Sequence, residues 1–222
     1  MAACPMITTG LLGGSFNPAH GGHRAISLDA IDALDLDELW WLVSPGNPLK
    51  SAAGMAPLAA RLASAQRMAR RSPIRPTAIE AELGTRYTID TLRALIRRYP
   101  NRRFIWVMGA DNLAQLPRWR DWRGIARLMP IAVIARPGYN GRTHAAEAMG
   151  WLRRFVRPAD QKADWTDWRP PALVFLRFSP DVRSATAIRQ ANPRWFERYA
   201  GRRFRDPLTH SRLRDGKRKG PA

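Results

Sequence analysis

Short apolar runs alternate with longer segments of helical periodicity along most of this chain. Thr9–Leu12, Leu39–Val43, Phe104–Met108, Ile131–Ala135 and Leu173–Phe178 have the length and composition of buried strands, and a further run lies around Ile74–Ile79. Between them, helical spacing fits His20–Leu34, Leu58–Arg71 and Thr88–Tyr99, and another helix starts at Ser184. The third helix is the clearest, because Ile89, Leu92, Leu95, Ile96 and Tyr99 form one apolar stripe that Pro100 stops. Repeated strand–helix units predict an α/β fold: a single Rossmann-like domain with a mostly parallel sheet and helices on both faces. Ligands of such a sheet meet the carboxyl ends of its strands.

Composition narrows the class. At 222 residues, 45% hydrophobic and 25% charged, the chain suits one globular domain with a sizeable core. It has no apolar stretch of membrane-spanning length and no signal-peptide layout at its start, so a membrane partner is not expected. The single cysteine, Cys4, excludes an internal disulfide and suits a reducing cytoplasm.

The net charge of +19 favours anionic partners: nucleotides, nucleic acid or acidic surfaces. Much of it follows Gly201, where Arg202, Arg203, Arg205, Arg212, Arg214, Lys217, Arg218 and Lys219 face Asp206 and Asp215. The expected division is a nucleotide-binding domain over 1–200 and a basic, disordered tail over 201–222, solvated rather than an arm for nucleic acid. The 9 tryptophans, several beside arginine, fit base stacking or core rings with arginines lying over them.

The chemistry concentrates after the first strand, where residues 13 to 23 read Gly-Gly-Ser-Phe-Asn-Pro-Ala-His-Gly-Gly-His. Gly13 and Gly14 can take φ > 0 and present no Cβ to a phosphate. Pro18 suits a first helical turn, and free amides at that helix start would add donors for an anion. His20 and His23 fall on one helical face, with Gly21 and Gly22 clearing space between them. A surface or capping role for the two imidazoles is the alternative. Near the other end, Ser184-Ala185-Thr186-Ala187-Ile188-Arg189 offers a helix cap at Ser184, a hydroxyl at Thr186 and a guanidinium at Arg189 that can grip polyphosphate.

These two segments resemble the signature and the closing S-x-T-x-x-R motif of the HxGH nucleotidyltransferase superfamily. The segments between them resemble bacterial nicotinate mononucleotide adenylyltransferases: Trp41–Pro48, Tyr87–Leu92, Trp106–Asp111 followed by Leu116–Trp119, and Ala135–Tyr139. Together they span most of residues 7 to 189.

The resemblance implies adenylyl transfer from ATP to nicotinate mononucleotide, giving deamido-NAD and pyrophosphate in NAD biosynthesis. It implies an ATP site of Gly13, Gly14, Ser15, Phe16, His20, His23, Gly109, Asp111, Arg136, Ser184, Thr186 and Arg189, with His20 and His23 catalytic. It implies an acceptor site of Ser15, Asn47, Lys50, Tyr87, Thr88, Trp119 and Arg120.

Several of these have a second reading: Asp111 as a helix cap, Trp119 as core, Asn47 as a turn residue, Arg120 as a solvent-facing cation. A dedicated carboxylate cage for a metal is not evident, so Mg²⁺ is expected to come with ATP. The segment after Arg189 departs from the family's tyrosine-rich helix, which leaves a homo-oligomer open. The rivals are relatives using nicotinamide mononucleotide or phosphopantetheine and, from another class, a basic nucleic-acid-binding protein. A specific nucleic-acid partner is not expected, since it would leave both end motifs unexplained.

Overall fold

The computed structural model describes residues 6–46, 54–135, 147–178 and 183–214. Six parallel strands, β1 (Ile7–Gly14), β2 (Glu38–Val43), β3 (Ile74–Thr77), β4 (Arg102–Gly109), β5 (Ile131–Ala135) and β6 (Leu173–Arg177), form one sheet in the order β3-β2-β1-β4-β5-β6. The order reverses between β1 and β4. A crevice opens there at the carboxyl ends of a doubly wound sheet.

Alternation along each strand builds two cores, as a period of two requires. Leu12, Trp41, Val43, Ile105, Val107 and Ile134 pack on one face, with Ala30 of α1 (Gly21–Ala33), its C-cap Leu34, and Leu62 and Ala65 of α2 (Leu58–Met68). Leu11, Trp40, Leu42, Trp106, Met108 and Val133 pack on the other. There they meet α3 (Ile79–Leu83), α4 (Thr88–Arg98), α5 (Ala110–Gln115), α6 (Trp122–Leu128) and α7 (Met149–Leu152). A last helix, α8 (Ala185–Ala191), follows β6.

The expected single α/β domain is present, with boundaries moved for local reasons. Strand β1 runs on through Gly13 and Gly14, which pair with Leu42 and Val43. Helix α2 stops before Arg71, whose φ of 52° is left-handed and cannot continue a right-handed helix. Of the α4 stripe, Ile89, Leu92 and Leu95 are buried, while Ile96 is 37% exposed. Most tryptophans serve as core: Trp40, Trp41, Trp106, Trp165 and Trp195 are buried.

The tail expectation changes most. Residues 203–205 and 212–214 form an antiparallel hairpin, β7 (Arg203–Arg205) and β8 (Arg212–Arg214), so order continues well past residue 201. Its hidden anchor is Asp206, an acidic residue that the basic composition masks and that is wholly buried. Residues 215–222 lie outside the described part.

Candidate active site

Gly13 and Gly14 sit at the end of β1, at the reversal point of the sheet. Neither takes a positive φ; the left-handed residue is Phe16, at φ 46°. Packing, rather than a turn, favours glycine at both positions, most strongly at Gly13. A Cβ on Gly13 would stand 2.8 Å from the Trp106 ring, and one on Gly14 would stand 3.1 Å from the Phe16 ring. The Phe16 ring is 2% exposed, stacked on Trp41 at 4.9 Å and leaning on His23 at 5.0 Å, which holds its unusual backbone.

Pro18 is not in the first helical turn, because α1 begins at Gly21 with His20 as its N-cap. The extended backbone of His20 (φ −142°) turns its ring back onto the helix start, so Nδ1 accepts the Gly22 amide at 3.2 Å. The His23 Nδ1 accepts the His20 amide at 3.2 Å. The two rings end 3.9 Å apart, centroid to centroid. Capping and clustering are therefore one arrangement rather than alternatives. An Nδ1 that accepts an N–H leaves the ring proton on Nε2. Burial first, and the neighbouring His20 second, push the His23 pKa down to about 3. The amides of Gly22, His23 and Arg24 already have acceptors, so the expected free donors are not found at these three.

One limb of the cavity is lined by Gly13, Gly14, Ser15, Phe16, His20, His23, Gly109, Asp111 and Ser184. Asp111 is exposed and lies inside α5, whose N-cap is Gly109, so it does not cap the helix. Ser184 does cap α8, accepting the Ala187 amide at 3.0 Å. Thr186 and Arg189 do not line this limb. The Arg189 guanidinium donates to the Asn17 carbonyl at 2.7 Å and to the Thr186 hydroxyl at 3.1 Å, bracing the turn that follows Phe16.

The second limb is lined by Gly13, Gly14, Ser15, Tyr87, Thr88, Trp106, Trp119 and Arg120. Trp119 is partly buried and meets Trp106 edge-on at 6.2 Å. Tyr87 is the N-cap of α4, makes no side-chain capping bond, and lines the limb together with Thr88. The Arg120 guanidinium lies 4.7 Å over the Tyr87 ring and 3.8 Å from Asp90, with its side chain 61% exposed. Asn47, Lys50 and Arg136 lie outside the described residues.

Several lining or supporting residues carry no sequence motif. Arg86 and Arg118 join Arg120 around the second limb, and Arg183 joins the first. Arg61, 1% exposed in the middle of α2, donates to the carbonyls of Ser15 at 2.8 Å, Ser44 at 2.6 Å, Pro45 at 3.2 Å and Ala56 at 2.9 Å. It thereby ties the ends of β1 and β2 together. Glu80 faces the second limb, and burial pushes its pKa up to about 7 against the opposing pull of Ser44, Thr91 and Arg61. A lone arginine inside Leu-Ala-Ala-Arg-Leu-Ala-Ser-Ala was the available signal for Arg61. For Glu80 there was none.

The Cytidylyltransferase-like family model matches residues 11–191. A protein of Erythrobacter litoralis named "Probable nicotinate-nucleotide adenylyltransferase" is 62% identical over 97% of this chain and 98% of its own length. The chain belongs to the nicotinate-nucleotide adenylyltransferase family. A member from Cereibacter sphaeroides, of the same name, is 51% identical over 85% of this chain and 100% of its own length. The fold is that of the Plasmodium falciparum nicotinic acid mononucleotide adenylyltransferase solved with NaAD, with a TM-score of 0.59 over 83% of each chain at 16% identity.

Proposed function

We propose that the two limbs hold the two substrates of one adenylyl transfer, ATP beside His20 and His23 and nicotinate mononucleotide beside Trp119. The products are deamido-NAD and pyrophosphate, a step of NAD biosynthesis. The observation that carries this reading is the shared junction: Gly13, Gly14, Ser15 and Asn112 line both limbs. Two phosphates delivered from opposite sides would meet there.

The reaction needs no protein nucleophile, since the acceptor's 5′-phosphate is already ionised. One of its oxygens attacks the α-phosphorus in line, the bond to the bridging oxygen breaks, and pyrophosphate leaves. The protein supplies orientation and charge compensation. The Nε2–H groups of His20 and His23 donate to the reacting phosphates. His23 is held neutral by burial and by the His20 amide on its Nδ1, so it donates from Nε2. Asp111 accepts ribose hydroxyls. Ser184 lies on the polyphosphate side, with Arg183 as an added cation, while Arg189 acts by fixing Asn17.

Among the described residues, no three His, Cys, Asp or Glu side chains gather into a metal cage. Asp111 is the one carboxylate lining the first limb among those residues. That donor set fits a Mg²⁺ that would arrive on the triphosphate and would neutralise phosphate charge there, with no cage of protein carboxylates to hold it among the described residues.

On the acceptor side, Trp119 stacks on the pyridine ring, and the uncapped start of α4 at Thr88 gives N–H donors to the nicotinate carboxylate. Trp119→Ala tests the assignment of limbs. It should raise the KM for nicotinate mononucleotide by about tenfold or more, the loss of one stacking contact, and leave the ATP KM within about twofold. An equal rise in both would contradict the assignment.

A further inference from the structure

The C-terminal hairpin lies beyond residue 191, where the family match ends, yet it is bonded to the wall of the acceptor limb. Asp206, at its first corner, is 0% exposed. Its carboxylate accepts the Thr77 hydroxyl at 2.9 Å, the Ala78 amide at 2.6 Å, the Leu208 amide at 2.9 Å and the Thr209 amide at 3.1 Å. A buried carboxylate is tolerated when its lone pairs are filled in this way.

Helix α3 begins directly at this contact. It has five residues, too few to persist alone, and its N-cap is Ala78, which has no side chain able to cap. Asp206 therefore serves as a cap donated from 128 positions along the chain. Thr77 completes it by accepting the Ile79 amide at 3.1 Å. At the far end of α3, Glu82 pairs with Arg98 at 2.7 Å, beside the Thr209 and Ser211 hydroxyls of the same hairpin, which bond each other at 2.6 Å.

The hairpin is itself anchored. Gln66 of α2 donates to the Arg205 carbonyl at 2.8 Å, and Phe204 packs on the cluster of Ala60, Ala63, Trp195 and Tyr199. Between its two bonded ends, α3 carries Glu80 into the acceptor limb and leads through Gly84, left-handed at φ 64°, to Arg86, Tyr87 and Thr88.

We infer that the hairpin is a positioning element for the acceptor substrate, with Asp206 clamping the start of α3 so that the wall from Glu80 to Thr88 keeps its shape. This rests on the reading of the second limb as the acceptor site. Asp206 touches no substrate and acts through α3.

The test is steady-state kinetics on the full chain carrying Asp206→Asn, which turns an acceptor into a donor facing the Ala78 amide. A second variant, Thr209→Ala with Ser211→Ala, removes the hydroxyl pair beside Glu82 and leaves Asp206 and its backbone partners in place. Asp206→Asn should raise the KM for nicotinate mononucleotide about tenfold while the ATP KM stays within about twofold. The double variant should shift the same KM in the same direction by less, which keeps the inference testable if Asp206→Asn does not fold. An unchanged acceptor KM in a folded variant, or equal rises in both KM values, would overturn the clamp. Failure of the unmodified protein to use nicotinate mononucleotide would instead overturn the acceptor reading beneath it.

Discussion

His20 and His23 hold each other in place, each ring accepting a backbone amide at Nδ1 with their centroids 3.9 Å apart. This arrangement fixes the tautomer that donates from Nε2. His20→Ala and His23→Ala should each lower turnover by at least about 10²-fold, the scale of losing a preorganised donor, and cost about 1 kcal/mol as a lost cap. Single-turnover adenylyl transfer and urea unfolding separate the two effects. Near-normal turnover in both variants would reduce the pair to caps.

Arg61 is the buried link between the ends of β1 and β2, so removing it strands four backbone carbonyls around one vacated guanidinium. Arg61→Met should lose at least about 2 kcal/mol of stability, because buried acceptors would be left unpaired. It should also raise both substrate KM values, since Ser15 lies at the junction of the limbs. Arg61→Lys should fall between, having one donor nitrogen in place of three. Equal stability of the Met variant and the parent would refute the link.

Much of the fold was legible because strand and helix periodicities differ and the sheet is buried on both faces. The histidine cluster was legible too, but its geometry was not. A helix from His20 was read where His20 is the cap, since spacing alone does not locate the first helical residue. Gly13 and Gly14 looked like turn residues, and only the packed Trp106 and Phe16 rings explain them. Arg61, Glu80 and Asp206 act across long stretches of sequence, at contacts no local pattern encodes. The hairpin was hidden by composition, because its basic residues outnumber the one acidic residue that anchors it.

Glu80 gives the acceptor limb a pH dependence. Its pKa, raised to about 7 by burial, means the carboxyl is largely protonated at pH 6 and ionised at pH 8. An anionic acceptor binds the protonated form better, despite Arg61, Arg86, Arg118 and Arg120 nearby. The KM for nicotinate mononucleotide should therefore rise from pH 6 to pH 8, and Glu80→Gln should flatten that rise. The acceptor phosphate titrates identically in both proteins, so the difference between them isolates Glu80. Stability follows the same sign: the native chain keeps a proton that the unfolded chain releases above about pH 4.5, so stability falls as pH climbs toward 7. Parallel profiles for parent and Gln variant would contradict this role.

Arg120 is held over the Tyr87 ring and near Asp90 with most of its surface in water. A cation so exposed is screened, and on the proposed reading the helix-start amides at Thr88 carry most of the acceptor discrimination. Arg120→Ala should change the preference between nicotinate and nicotinamide mononucleotide by less than about fivefold, the ceiling for an exposed ion pair. Complete loss of preference would move the carboxylate onto the guanidinium.

Adenylyl transfer to nicotinate mononucleotide at the junction of the two limbs is the reaction on which the assignments above depend. Pyrophosphate release from ATP and Mg²⁺, measured on the unmodified protein with each acceptor in turn, tests it most directly. The kcat/KM should be at least about tenfold higher for nicotinate than for nicotinamide mononucleotide, because the amide leaves an N–H donor without its charged partner. Equal use of the two acceptors, or no release with either, would contradict it.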